Sequence, residues 1–463
     1  MVDVMRHKAP AFLSRLRTAL AVPPDSPLVF LGNFEVEREW GKGEPGLPKF
    51  NSPSSDLLVN RMDEFALTLA GPGDLVILKK KPDPAYVEYL TALGRPAPRT
   101  LVPVESEPAR DVTGDALADK GLLEQLAALR DQGAVIVAHG VSERVERLSQ
   151  ESGLPLAAPP AAVCKSVNSK VYSRRLAERL GLRQPEGWWC DSLERWGEAV
   201  LWARGVLRGG GRVAVKDAFG VSGKGILQIG EESRLDQLDR LFTNRRKGQA
   251  DSRLGVVVEE WVAKSGDLNY QFTLGRDGSV HLDFVKEALT RNGVHMGHLV
   301  PARLSADVRE GIAAAAMDLG AALATDGYHG VVGVDAMLDP EGGLYPLTEI
   351  NARNNMSTYQ EPLLELLHSP GATALARYYP VVRRRPASFA ELRALLGDAL
   401  LTSPGDGCGV VVNNFATVNS GIAAGGAGRL YGILLGPDAE TVSALDKQVT
   451  ELLAQWREDG AHE

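Results

Sequence analysis

Two neighbouring runs, Val331–Leu338 and Leu344–Asn351, constrain this chain more than any other feature. They are rich in β-branched and aromatic residues and flank the turn Asp339–Gly343, so they read as a β-hairpin. Successive side chains of a strand point to opposite faces, which puts Glu349 and Asn351 on one face. A turn near Glu341 brings Asp335 opposite them. Two carboxylates and a carboxamide then converge. Oxygen donors of this kind suit Mg²⁺, which takes its remaining ligands from water and phosphate. Arg353 projects the same way if the strand continues, where a guanidinium can clamp a transferring phosphoryl group or a carboxylate.

Upstream, Lys216 closes the strand-like run Val213–Lys216 and is followed by the loop Asp217–Gly225. Backbone N–H groups of such a loop, here including Gly220, Ser222, Gly223 and Gly225, can cover phosphates, with Lys216 and Lys224 supplying charge. It is not a Walker A loop, because GxxxxGK[ST] is absent; alone, a glycine-rich turn is more often only a turn. The strand Val256–Glu259 runs on into Glu260-Trp261-Val262. Such an edge can line an adenine slot, Glu259 accepting from the exocyclic amine, with Asp267 in reach of ribose hydroxyls. Lys170 opens a helix expected over Asn168–Leu182, with Arg174, Arg175 and Arg179 toward water. His295 and His298 have HxxH spacing without a third ligand nearby and read as ordinary polar residues. No G-x-S-x-G elbow is present, so a serine hydrolase is unsupported.

Around these motifs the pattern is α/β and α+β. Short apolar runs at Leu28–Leu31, Leu75–Leu78 and Ala134–Ala138 alternate with helical stretches at residues 11–20 and Ala116–Arg130, which predicts a parallel sheet. The first run ends in Gly32-Asn33 without GxGxxG, which disfavours a dinucleotide fold. Gly41–Pro53 reads as a loop and residues 151–163 as a linker. A second hairpin is expected from Tyr270–Leu274, Asp277-Gly278 and Val280–Phe284, then a helix over 306–324. The tail reads as strand Gly409–Val418, loop Asn419–Gly428, strand Leu430–Leu435 and helix Ala439–Arg457. We divide the 463 residues into units at 1–165, 166–262, 263–385 and 386–463. A net charge of −8 argues against a nucleic-acid partner. No 18-residue apolar run predicts a membrane span, and no signal peptide is visible, so a cytoplasmic location is expected. Cys164, Cys190 and Cys408 lack CxxC spacing, which fits neither a disulfide framework nor structural zinc.

Taken in order, Lys170, Lys216 with its loop, Glu259–Val262, Asp267, Asp335 and Glu349-Ile350-Asn351-Ala352-Arg353 resemble the ATP-grasp superfamily over roughly residues 165–355. The resemblance implies an ATP-grasp fold with an N-terminal α/β (pre-ATP-grasp) domain and a small C-terminal ββα unit. It implies ATP between two α+β subdomains, its phosphates on Lys170 and Lys216. Adenine would lie on Glu259 and the backbone of Glu260, Trp261 and Val262, and ribose on Asp267. Asp335, Glu349 and Asn351 would hold two Mg²⁺ ions, for which Mn²⁺ can substitute. Lys216, Arg353 and Asn351 would carry the catalysis. The implied activity is an ATP-dependent carboxylate–amine ligase that forms an amide through an acyl phosphate and releases ADP and phosphate. A narrower similarity, to peptide ligases of the pheganomycin type, rests on Leu31-Gly32-Asn33-Phe34-Glu35-Val36-Glu37 and Asn413-Asn414-Phe415. It implies a small-molecule carboxylate donor, an amino-acid or peptide amine acceptor and a role in peptide natural-product biosynthesis; a homodimer is compatible with it. The same ATP machinery would also serve a small-molecule kinase, or survive in an inactive nucleotide-binding protein. One departure stands out: where several amino-acid ligases of the superfamily carry arginine two residues before the first metal Asp, this chain has Gly333. Arg353, Arg291 and Arg303 are the candidates to replace it.

Overall fold

A computed structural model of the chain describes residues 11–48, 53–95, 97–220, 225–246, 252–291, 294–422 and 427–459. The N-terminal third is built on four parallel strands: β1 (Leu28–Leu31), β2 (Leu75–Ile77), β3 (Arg99–Leu101) and β4 (Val135–Ala138), in the order β3-β2-β1-β4. β1 is apolar throughout because both faces of the sheet are covered. Leu28 and Phe30 pack with Phe12, Phe65 and Tyr86, while Val29 and Leu31 pack with Trp40, Val112 and Leu148.

Two expectations for this domain change. Residues 151–163 are not a free linker. The Ile136 N–H donates to the Pro155 carbonyl at 2.9 Å and the Ala157 N–H to the Ile136 carbonyl at 3.0 Å, so the segment lines the open edge of β4. It then enters a helix over Ala161–Val167. The single helix expected over Ala116–Arg130 is two, Val112–Ala118 and Lys120–Ala127. Asp119 between them is extended, and its carboxylate accepts the Leu122 N–H at 3.0 Å, an N-cap that restarts the helix.

A second, antiparallel sheet forms a lid: β5 (Gly187–Ser192), β6 (Val213–Asp217), β7 (Ile226–Ile229) and β8 (Arg253–Glu260), in the order β5-β8-β6-β7. The helices Leu193–Arg208 and Glu232–Arg246 close it around a core that includes Trp196 and Phe242. The described part of the Gly41–Pro53 loop docks on this sheet. The Leu47 N–H donates to Asp217 at 3.1 Å, and the Pro45 carbonyl accepts from Gly255 at 2.8 Å.

The third sheet has eight antiparallel strands: β9 (Gly266–Leu274), β10 (Val280–Arg291), β11 (Val294–Val300), β12 (Gly330–Leu338), β13 (Leu344–Asn351), β14 (Thr373–Val381), β15 (Gly409–Asn414) and β16 (Gly428–Gly436). Their order is β13-β12-β9-β10-β11-β14-β16-β15. Both expected hairpins are present, β9–β10 and β12–β13. The two tail strands prolong this same sheet, since β14 pairs with β16 from Thr373↔Gly436 to Val381↔Gly428. The helix Ala439–Asp459 covers that end with Val442, Leu445, Val449 and Leu453 buried. No helix among the described residues is long and apolar enough to cross a membrane.

Candidate active site

The hairpin register sets Asp335 directly across from Glu349, and Gly333 across from Asn351. The Asn351 amide donates to Asp335 Oδ2 at 3.2 Å, and Asn269 on the adjacent β9 donates to Asp335 Oδ1 at 2.9 Å. Desolvation, then repulsion from Glu349, pushes the Asp335 carboxyl up to about 6. Two facing carboxylates with an unfavourable charge balance, and a carboxamide oxygen beside them, are a donor set that fits a hard divalent cation. Among the described residues no group of three or more His, Cys, Asp or Glu side chains could hold a metal. A cation on Asp335, Glu349 and Asn351 would therefore draw further ligands from a phosphate or water.

Lys170 stands over this pair. It is the first residue of the helix Lys170–Arg179, and its Nζ donates to Glu349 at 2.6 Å and to the Gly220 carbonyl at 2.9 Å. Ser173, one turn on, accepts the Ile350 N–H at 3.0 Å and fixes the helix to β13. Lys216 on β6 pairs with Glu259 on β8, and the other oxygen of Glu259 takes Arg174 at 3.3 Å. Lys170, Arg174, Lys216, Val257, Glu259 and Leu347 line one small cleft between the lid sheet and β13. Three cations share two carboxylates, and each lysine holds one of these in the place where phosphates are expected.

The neck of the glycine-rich loop is tight. A Cβ on Gly220 would lie 2.8 Å from the Gly225 Cα, so the close approach of the two loop ends requires glycine there. Ser222, Gly223 and Lys224 lie outside the described residues. Glu260, Trp261 and Val262 are only partly free to meet a base edge. The Glu260 N–H donates to Glu186 and the Trp261 N–H to Arg212, each at 2.8 Å, while the Trp261 side chain is exposed and Val262 half-buried. Asp267 sits at the start of β9, bonded to Lys264 and Thr290 at 2.5 Å each.

Arg353 follows β13 and lies against three partners. It donates to Asn351 Oδ1 and to the Asn354 carbonyl, both at 2.9 Å, and it pairs with Glu37 from the first domain. The absence of a side chain at Gly333 has a steric cause: a Cβ would come within 2.3 Å of Asn355 Nδ2. Of the candidates to replace an arginine there, Arg353 is in the cluster. Arg303 is exposed, its N–H bonded to Glu287 at 2.7 Å, and the side chain of Arg291 lies outside the described residues.

Arg174 departs from the expectation that it faces water. It is buried, with a pKa lowered by desolvation, and donates to Glu259 and to the Pro185 carbonyl. Asn269 and Ser173 went unpredicted; alternation from Asp267 along β9 is the sequence signal that points to Asn269. His295 and His298 bond each other at 3.1 Å, and Ser357 links His298 to Asn269.

The family model described as the pre-ATP-grasp domain matches residues 62–154. A curated relative, the [butirosin acyl-carrier protein]–L-glutamate ligase of Niallia circulans, is 29% identical over 323 residues, spanning 68% of this chain and 70% of that protein. Among solved structures, the biotin carboxylase–β,γ-ATP complex from Campylobacter jejuni superposes with a TM-score of 0.56 at 13% identity, covering 92% of this chain and 91% of that one. The N5-carboxyaminoimidazole ribonucleotide synthetase of Thermus thermophilus gives 0.51 at 16% identity, covering 92% and 98%. At these identities the structural likenesses speak for the fold.

Proposed function

We propose that this chain, an ATP-grasp protein by its fold and its pre-ATP-grasp domain, is an ATP-dependent carboxylate–amine ligase with its nucleotide in the cleft between the lid sheet and β13. The observation that carries this reading is the opposition of Asp335 and Glu349 across the hairpin with Lys170 closing over them. Mg²⁺ on Asp335, Glu349 and Asn351 would neutralise phosphate charge and align the phosphoryl group. Lys170 and Lys216 exchange their carboxylate partners for phosphate oxygens when the nucleotide enters. Glu259, released by Lys216, becomes an acceptor for the adenine amine.

Arg353 stabilises the charge on the γ-phosphoryl group as a substrate carboxylate oxygen attacks it and ADP leaves. The amine nitrogen then attacks the carbonyl carbon of the acyl phosphate, and phosphate departs. The acid is a small molecule and the amine an amino acid or peptide, as in peptide natural-product assembly. The relative named for joining L-glutamate to an acyl-carrier protein supports an amino acid as one partner. The cysteines stand free, which suits work in a reducing cytoplasm.

The test is mass spectrometry of the purified protein with ATP, Mg²⁺ and pooled amino acids, guanidino acids and short peptides. ADP, phosphate and a product equal to two substrates less water are expected. A stable product heavier by one phosphoryl group would make the protein a kinase instead. AMP in place of ADP would rule out the acyl-phosphate route.

A further inference from the structure

The turn that leaves β1 and the short helix Val36–Trp40 that follows carry three acids, Glu35, Glu37 and Glu39. Two are engaged within their own domain: Glu35 accepts from the Thr113 hydroxyl at 2.8 Å, and Glu39 pairs with Arg144. Glu37 instead reaches the Arg353 guanidinium, which touches Asn351 and through it Asp335. The turn is fixed on both sides of it. Asn33 donates to the Gly140 carbonyl at 2.8 Å and accepts the His139 N–H at 3.0 Å, Phe34 stacks on His139 with ring centroids 4.0 Å apart, and the Trp40 indole donates to Val141 at 2.9 Å. A carboxylate is thus held by a rigid support at the edge of the site where an acyl phosphate would form.

This placement has an electrostatic consequence. Arg353 cannot serve Glu37 and an incoming phosphoryl group with the same strength. When the guanidinium turns to phosphate, Glu37 is left half-buried and short of a cation, and an ammonium group is the cation the second half-reaction brings. The other carboxylates of the hairpin, Asp335 and Glu349, are taken by Mg²⁺ in the ligase reading, and Asp335 also accepts from two amides. The nearby His139 is buried, with Nδ1 bonded to the Tyr359 hydroxyl at 2.9 Å.

We propose that Glu37 is the receptor and proton acceptor for the amine substrate, an inference that rests on the ligase reading above. The ammonium gives one proton to the Glu37 carboxylate, and the freed lone pair attacks the acyl carbon. As the C–N bond forms and the C–O bond to phosphate breaks, the second proton leaves with the phosphate. Binding is then ordered, with nucleotide and acid before amine.

Hydroxylamine provides the test, because it is uncharged near neutral pH and attacks acyl phosphates without losing a proton to a base first. Wild type, Glu37→Gln and Glu37→Asp are given ATP, Mg²⁺ and an amino-acid pool, with and without hydroxylamine, and amide and hydroxamate products are counted. In Glu37→Gln the ratio of amide to hydroxamate should fall about 100-fold, the size of a lost general base, and Glu37→Asp should lie between it and wild type. An unchanged ratio in either variant overturns the assignment, and thermal melts of both identify the variant that is folded and decides. A wild-type protein that releases ADP but gives no hydroxamate removes the acyl-phosphate reading itself, and this inference with it.

Discussion

Glu349 shows how much one side chain can carry. It faces Asp335 across the hairpin, and it neutralises Lys170, whose side chain is only 5% exposed. Glu349→Ala should abolish ADP release and, by leaving a nearly buried ammonium with only the Gly220 carbonyl, cost about 3 kcal/mol of stability. Glu349→Gln keeps the shape and should lose turnover with a smaller fall in melting temperature. Near-normal ADP release from the alanine variant would remove the metal assignment. Asp335→Asn should also reduce ADP release, though less. These residues were legible because a two-residue strand period and one turn suffice to place them. Arg174 was not, because its partner Glu259 lies 85 residues away and only the assembled structure brings them together.

Among elements, the short helical turn Met62–Phe65 joins the first domain to the tail strands. Its Glu64 is buried and accepts the Phe415 and Ala416 N–H groups at 2.7 and 2.6 Å. Burial pushes this carboxyl up to about 7. The folded state therefore holds the proton more tightly than the unfolded chain, so the contribution is complete below about pH 4.5 and is lost as pH rises through 7. The shift corresponds to about 3 kcal/mol. Urea unfolding at pH 5 and pH 8 should show a smaller difference for Glu64→Gln than for wild type; equal differences would place the titration elsewhere. Asn33→Ala strips three hydrogen bonds from the ends of β1 and β4 and should cost about 2 kcal/mol in the same measurement. Elements with strong periodicity, such as the two hairpins and the last helix, were readable from the chain. The edge segment at 151–163 was not, because proline-rich composition resembles a linker and only the exposed flank of β4 makes it structure. Neither was the break at Asp119, where one capping carboxylate outweighs a continuous helical pattern.

At the scale of the molecule, Lys170 ties its helix to Glu349 on the hairpin, and Lys216 ties β6 to Glu259 on β8 within the lid sheet; these are the pairs that the proposed nucleotide would replace. ADP with Mg²⁺ at a hundred times its dissociation constant should raise stability by about 2.7 kcal/mol, seen as a higher melting temperature. Lys216→Ala should lose most of that gain; an unchanged gain would move the phosphates away from Lys216. The α/β character and the order of the motifs could be read from the chain. The continuation of the central sheet into β16 and β15 could not, since strand neighbours so distant leave no local pattern. That continuation shapes how the protein is made. The Tyr89 hydroxyl accepts the Val412 N–H, 323 residues further on, and Tyr86 packs against Phe389 and Phe415. At ordinary ribosomal speed those partners emerge tens of seconds after the aromatic surface they cover. Throughout that interval the nascent first domain shows a greasy flank to the cell, which makes it a natural client for chaperones and couples its yield to the pace of translation.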